Sequence, residues 1–347
     1  MSSVVKTKRV LFFLSITLML GIFMGCSQTE KEQSSANQQQ VKTLKVSMLI
    51  PGRINDGGFM EAGYKGLLKI QKDLGAEINY IDKIKPNKEL LEKALRELAA
   101  GNPDLIIAHG GQCSGAVKQV ATEFPNIKFV VVQGNVTGDN LSSYEVLQEQ
   151  SAWLAGAASG LLTKTGIVGH ISGIRVRPGL KGRAAFADGL KYTNPSAKFL
   201  TNFCGYQDDN AISRKVAEME IAAGADIIFT MLNAGRQGAI DAMRENKVHQ
   251  IGNVKDWYPV APDVFIASAL ANVSMAGFRA AKDLAEGNWV AQKVVKIGLE
   301  NPDAVSLALP PHISEKVRAQ IADLSQKIID KKIHVKTEYN GPEFELN

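Results

Sequence analysis

The stretch Leu44-Lys-Val-Ser-Met-Leu-Ile-Pro-Gly-Arg-Ile-Asn-Asp-Gly-Gly-Phe59 decides how the rest of the chain is read. Val46, Met48, Leu49 and Ile50 form a short apolar run with little polar interruption, the pattern of a buried strand. Pro51-Gly52 breaks it, and Gly57-Gly58 allow a tight turn. A helix is predicted from Gly58 through Ala62, Leu67, Leu68 and Ile70 to Leu74. A first strand, a loop of small and acidic residues and a helix start are where α/β proteins commonly hold a ligand. Asp56 can accept hydrogen bonds from ligand hydroxyls or an amine, and Phe59 can supply a ring face. The same residues serve equally as a helix cap, through Asn55 and Asp56, and as a core ring.

Outward from that stretch, strand and helix alternate. Strands are predicted at 44–50, 77–81, 105–108 and 129–133, with helices at 58–74, 87–100 and 114–123; Pro86, Pro103 and Pro125 fall at the breaks. The pattern recurs with strands at 167–171, 198–202, 226–230 and 248–252 and helices at 152–162, 180–192, 210–223 and 236–245. Further strands are predicted at 264–268, 294–297 and 305–309, and helices at 273–285 and 315–329. Short apolar strands between helices indicate parallel sheets covered on both faces. The expected architecture is α/β, with two Rossmann-like lobes and a hinged cleft between strand C-terminal ends. The expected division is 44–147 with about 272–303 for one lobe, and 148–271 with about 304–347 for the other.

The chain has 347 residues and a formal charge of +5. Lys6, Lys8 and Arg9 are the only charges among the first 25 residues, and without them the charge falls to +2. No basic stripe stands out, so nucleic acid is not an expected partner. A basic start, an apolar run from Val10 to Phe23 and Met24-Gly25-Cys26 have the shape of a secretory signal peptide, residues 1–25. A small residue before Cys26 makes that cysteine the expected site of lipidation, as in lipobox-containing proteins. Residues 26–43 are then a lipidated cysteine and polar tether, since Ser27 to Lys42 offers no face to bury. The expected location is the cell membrane, lipid-anchored and facing the extracytoplasmic side. Only Cys113 and Cys204 remain after Cys26, too few for a disulfide framework or a zinc site. No metal or cofactor is expected, and no Walker or HExxH motif is present.

Five loops follow strands and should face the cleft. They contribute Asn55, Asp56 and Phe59; Gly111 and Gln112; Gln133; Asn233 with Arg236; and Asp256, Trp257 and Tyr258. A ring beside a carboxylate in the last loop suits a flat ligand bearing hydroxyls or amines, or else plugs the core beneath a loop. Gln133 could read a polar edge or simply end its strand, and Arg236 could meet a ligand or cap the surface. Gly111-Gln-Cys-Ser-Gly115 matches a glycine-x-nucleophile-x-glycine elbow, which would make Cys113 the nucleophile of an α/β hydrolase with His170, His249 or His312 as base. No histidine lies in an obvious late catalytic loop.

Three segments carry a family resemblance through their order and spacing. They are Ile54-Asn-Asp-Gly-Gly-Phe-Met-Glu-Ala-Gly-Tyr-Lys-Gly66, Ala155-Gly-Ala-Ala-Ser-Gly-Leu-Leu-Thr-Lys-Thr-Gly-Ile-Val-Gly169 and Ile251-Gly-Asn-Val-Lys-Asp256. From Cys26 to about Leu309 the chain resembles the basic membrane protein family, PnrA-like substrate-binding lipoproteins of ABC importers, in which a lipoprotein described as a transcriptional activator also falls. The resemblance implies a type I periplasmic-binding fold, a monomer, an ABC permease as partner and a purine nucleoside or base as ligand, with no enzymatic activity. It implies ligand contacts from Asp56, Phe59 and Asp256. The chain departs from the family's pattern at Met60, Gly111, Gln133 and Ala271, where asparagine, an aromatic, aspartate and lysine are usual; a free base, another flat polar ring or an altered pocket all fit those changes. A regulatory or sensor lipoprotein that does not serve transport is the alternative.

Overall fold

The computed structural model describes residues 43–345. The expected signal peptide, Cys26 and the expected tether as far as Lys42 lie outside the described residues. β1 (Lys45–Leu49) runs into the quoted loop and α1 (Phe59–Leu74), followed by β2 (Glu77–Ile81), α2 (Lys88–Ala100), β3 (Leu105–His109), α3 (Ser114–Glu123), β4 (Lys128–Val132) and β5 (Leu141–Val146). With β11 (Val294–Ile297) these strands form one all-parallel sheet in the order β11-β5-β4-β3-β1-β2. Helix starts follow local chemistry: the Asn87 side chain accepts from the N–H groups of Glu89 and Leu90 at the head of α2. Helix α1 stops at Gly75, which takes φ 63°.

The second sheet is built in the same way. α4 (Gln148–Leu162) leads to β6 (Ile167–Ser172), α5 (Arg177–Thr193), β7 (Lys198–Phe203), α6 (Asn210–Ala222), β8 (Ile227–Met231), α7 (Arg236–Asn246), β9 (His249–Val254) and β10 (Phe265–Ala271). β12 (Val305–Ala308) adds antiparallel to β10, giving the order β12-β10-β9-β8-β6-β7. The chain passes between the sheets after β5, through α8 (Ser274–Ala285) after β10, and again between β11 and β12; α9 (Glu315–Ile329) follows. Strand β5 is absent from the sequence prediction. Its Ser142, Ser143 and Glu145 read as polar, yet all six residues are buried because β4 and β11 flank it.

The Ala155–Gly169 segment does its work in α4, which is buried almost all round and packs on α5. The two backbones touch: a Cβ on Gly156 would stand 2.0 Å from the Phe186 carbonyl oxygen, and one on Gly189 equally close to that of Trp153. Only glycine permits such an approach.

The end of the chain covers the open edge of β7. Phe344 N–H donates to the Thr201 carbonyl (2.9 Å) and Asn202 Nδ2 to the Phe344 carbonyl (3.1 Å). Glu343 binds Arg175 and, at 2.6 Å, the buried Arg183, and Arg175 holds its carboxyl below the usual range. Glu343→Ala should therefore cost about 1–2 kcal/mol, because Arg183 is left buried without its carboxylate. Urea unfolding of the variant beside Glu338→Ala, a change nearby on the same exposed tail, checks this; equal midpoints would refute it.

Candidate functional site

In both sheets the parallel strands end toward the same interval, and a cleft of about 340 Å³ opens there. Gly57, Gly58, Glu61, Ala62 and Lys65 line it from the loop and first turns of α1. Val254, Lys255, Asp256 and Leu270 line it from the ends of β9 and β10, with Asn272, Ser274 and Asp303 from the crossing segments. The two sides also meet directly. A Cβ on Gly58 would stand 2.9 Å from Asn233 Oδ1, so this glycine leaves room for the opposing loop.

Of the residues singled out in the sequence, Asp256 lines the cleft. Its Oδ1 accepts from Tyr258 N–H (3.1 Å) and Ser268 Oγ (3.2 Å), which fixes the carboxylate at the strand end. Asp56 is turned to its own helix: it accepts from the N–H groups of Gly58 (2.8 Å), Met60 (3.1 Å) and Glu61 (3.0 Å). Asn55 is exposed beside it. The Phe59 ring lies on His109 with centroids 4.3 Å apart, and the Phe59 carbonyl accepts from His109 Nε2 at 2.7 Å. Neither Asp56 nor Phe59 is among the cleft-lining residues.

The Gln133 amide is used internally. Its Oε1 accepts from Val146 N–H (2.6 Å) and its Nε2 donates to the Val146 carbonyl (3.1 Å), tying the end of β4 to that of β5. Gly111 abuts the Gln133 carbonyl, where a Cβ would stand at 2.8 Å, and Gln112 is exposed. Trp257 Nε1 donates to the Asn253 carbonyl (2.8 Å), and the guanidinium of Arg236 and the ammonium of Lys255 sit 4.3 and 4.4 Å from the centre of its ring. Arg236 is buried, not a surface residue. It donates to the Thr230 and Leu232 carbonyls and to Asn253 Oδ1, and burial lowers its pKa to about 9.

Glu61, Lys65, Lys255, Asn272, Ser274 and Asp303 were not picked out from the sequence. Glu61 and Lys65 carried a legible signal, since they stand four residues apart just beyond the glycine turn and share a helix face. Their side chains pair at 2.5 Å. Glu61 is held below the usual carboxylate range by Lys65 first, then by Gly57 N–H and by Lys255 across the cleft. Asn272 and Asp303 are joined only by the fold, through Asn272 Nδ2 and the Asp303 carbonyl at 3.3 Å.

A second polar pocket lies where the ends of β4 and β5 meet the start of α5, and it is filled. Gln133, Glu145, Gln148 and Glu149 face Arg177 and Lys181 at the start of α5. Lys181 Nζ pairs with Glu145 (2.9 Å) and with Glu149, and Arg177 approaches Glu145 at 3.5 Å. By strand order this pocket is the counterpart of the open cleft. Helix α1 after β1 meets the ends of β9 and β10; helix α5 after β6 meets the ends of β4 and β5.

The elbow around Cys113 is not arranged to activate its thiol. The thiol is buried and burial pushes its pKa up to about 12, the reverse of activation. His170 sits in the second sheet, surrounded by Phe199, Phe203 and Phe229. Cys113 and Cys204 are both free thiols. Among the described residues no group of three His, Cys, Asp or Glu side chains could hold a metal ion, and no helix is long and apolar enough to cross a membrane.

Residues 43–338 match the family model described as ABC transporter substrate-binding protein PnrA-like. The chain belongs to this family. Among its relatives, the transcriptional activator protein med of Bacillus subtilis is 26% identical over 268 residues, covering 77% of this chain and 80% of that protein. Basic membrane protein A of Borreliella burgdorferi is 28% identical over 298 residues, covering 84% and 87%. A solute-binding protein of an ABC transporter system from Aeropyrum pernix superposes with a TM-score of 0.72 at 20% identity, over 86% of this chain and 94% of that one. The PnrA-like chain thus has the two-sheet architecture of periplasmic solute-binding proteins, the type I fold.

Proposed function

We propose that this PnrA-like protein is the solute receptor of an ABC importer. It is held outside the cell membrane by lipid on Cys26, works as a monomer, and closes its two α/β halves on a small polar solute before docking on a permease. The observation that carries the reading is the cleft lined from both sheets, with Gly58 seated against Asn233 where the two sides meet. A site split between two halves couples ligand binding to closure, because the ligand's contacts are complete only when the halves come together. The buried thiol of Cys113 and the family membership both support binding rather than catalysis.

The family resemblance implies a purine nucleoside, base or similar planar ligand. The engagement of Phe59 with His109 and of Trp257 with Arg236 and Lys255 weighs against a stacked ring at this cleft. A regulatory role is the second reading, favoured by the relative from Bacillus subtilis named as a transcriptional activator. Solute uptake in cells lacking the protein separates the two: a receptor's loss abolishes uptake of the solute it binds, whereas loss of a regulator leaves transport intact.

Gly58→Leu tests closure. The added side chain meets Asn233, so the variant should keep its own melting temperature within about 2 °C, a surface-sized change, yet lose the rise in melting temperature given by solutes that co-purify with the parent protein. An undiminished rise would refute closure at this contact.

A further inference from the structure

We infer that the open cleft takes a small aliphatic zwitterion, a primary amine that also carries a carboxylate, rather than a ring system; this rests on the receptor reading above.

The first argument is the lining. No aromatic side chain among the described residues lines the cleft. The nearest candidates in sequence are committed elsewhere: Phe59 to His109, Tyr64 to Tyr80 at 5.1 Å, Trp257 to Arg236 and Lys255, and Tyr258 to His312 at 5.9 Å. A purine's chief source of affinity, stacking on a ring, is missing from the walls.

The second argument is charge. Glu61 and Lys65 satisfy each other. Lys255 has no carboxylate within ion-pair distance, and Asp256 and Asp303 have no cation within it, among the described residues. Asp256 is bonded only to an N–H and a hydroxyl. When the halves shut on a solute, these three charges lose water. That is costly unless the solute brings their counter-ions. A neutral nucleoside or sugar brings none. An amine directed at Asp256 and Asp303, with a carboxylate directed at Lys255, brings both.

The third argument comes from the filled counterpart. There the Lys181 ammonium sits against the carboxylates of Glu145 and Glu149, where a helix start meets two strand ends. In the open cleft the carboxylates of Asp256 and Asp303 have no ammonium within ion-pair distance among the described residues, although Lys65 and Lys255 line other parts of the wall. The volume, about 340 Å³, lies at the lower end for small-molecule pockets and fits a compact solute.

The test uses the full chain in detergent, with thermal shift and calorimetry against L-lysine, L-ornithine and L-serine, cadaverine, glucose, adenosine and inosine. At least one of the three amino acids should stabilise the protein. Cadaverine, which lacks the carboxylate, should bind at least about tenfold more weakly than lysine. Asp256→Asn and Asp303→Asn should each weaken the amino acid about tenfold or more, while the exposed Asp303 leaves the fold intact when changed. Stabilisation by adenosine, inosine or glucose with silence from every amino acid overturns the ligand class and leaves the receptor reading standing. Should the whole panel be silent, mass spectrometry of the denatured protein decides. An aliphatic zwitterion released from it upholds the inference, any other solute overturns the class alone, and no solute at all overturns both readings.

Discussion

Lys181→Met is expected to destabilise the protein by about 3 kcal/mol or more, the cost of leaving buried carboxylates without their cation. Lys181 is 14% exposed, and its partners Glu145 and Glu149 are 7% and 9% exposed. Methionine keeps the length and apolar stem of the side chain, so the loss is one of charge. Arg177, 3.5 Å from Glu145, offsets part of it and leaves Glu149 uncompensated. A loss of that size lowers the melting temperature by roughly 6 °C or more in a chain of this length. Two further variants make the attribution specific. Adding Glu149→Gln to Lys181→Met should recover much of the loss, because the unpaired charge is gone. Lys181→Arg should lose less than Lys181→Met. Calorimetry of the four proteins reads the result directly. A Lys181→Met protein that melts with the parent would show that these ion pairs hold nothing together.

Acid is the second strong lever. His109 and His170 are buried, and burial lowers their pKa values to about 4 and about 3. For His170 the nearby Arg183 adds to the effect, while the Phe59 carbonyl and Asp56 partly oppose it for His109. The His170 Nδ1 contact to Thr201 Oγ1, at 2.9 Å, is with a neutral hydroxyl. In the unfolded chain each imidazole takes up its proton near pH 6.5. Between that value and the folded one, the unfolded state binds more protons, so stability falls as pH drops. The loss is absent above pH 6.5, grows below it, and levels off near pH 4 for His109 and pH 3 for His170. At pH 5 it amounts to about 2 kcal/mol for each histidine. Urea unfolding at pH 7.5 and pH 5 should show a smaller drop for His170→Gln than for the parent. Any packing penalty of the substitution is common to both pH values and cancels. An equal drop in the two proteins would show that His170 is not neutral in the folded state.

The fate of the predicted site follows from what each group needs. Asp256 was legible because a carboxylate in a loop after a strand has few local partners. Asp56 lay in an equally promising loop, but three helix N–H groups stand within its reach and take both its oxygens. Helix capping is a local interaction, available before any tertiary contact forms, and it wins. Trp257 read as a stacking ring, yet the Arg236 side chain beside it is buried and needs partners, and the indole face is one of them. Strand β5 was hidden for a related reason. Glu145 is tolerable in a buried strand only because Lys181 and Arg177 reach it from the other sheet.

The chain alone determined what depends on neighbours a few residues away. The period of apolar side chains, proline and glycine at the breaks, and caps such as Asn87 specify alternating strands and helices, and hence two mostly parallel sheets with the strand-end loops at one end. Only the tertiary structure decided which charges are matched. Glu145 meets Lys181 and Glu343 meets Arg183 across 36 and 160 positions, the Tyr144 hydroxyl meets Asp283 across 139, and Lys255, Asp256 and Asp303 are brought to one cleft with no ion pair formed among them. Electrostatic pairing acts through space, so it is set by how the two sheets come to face each other.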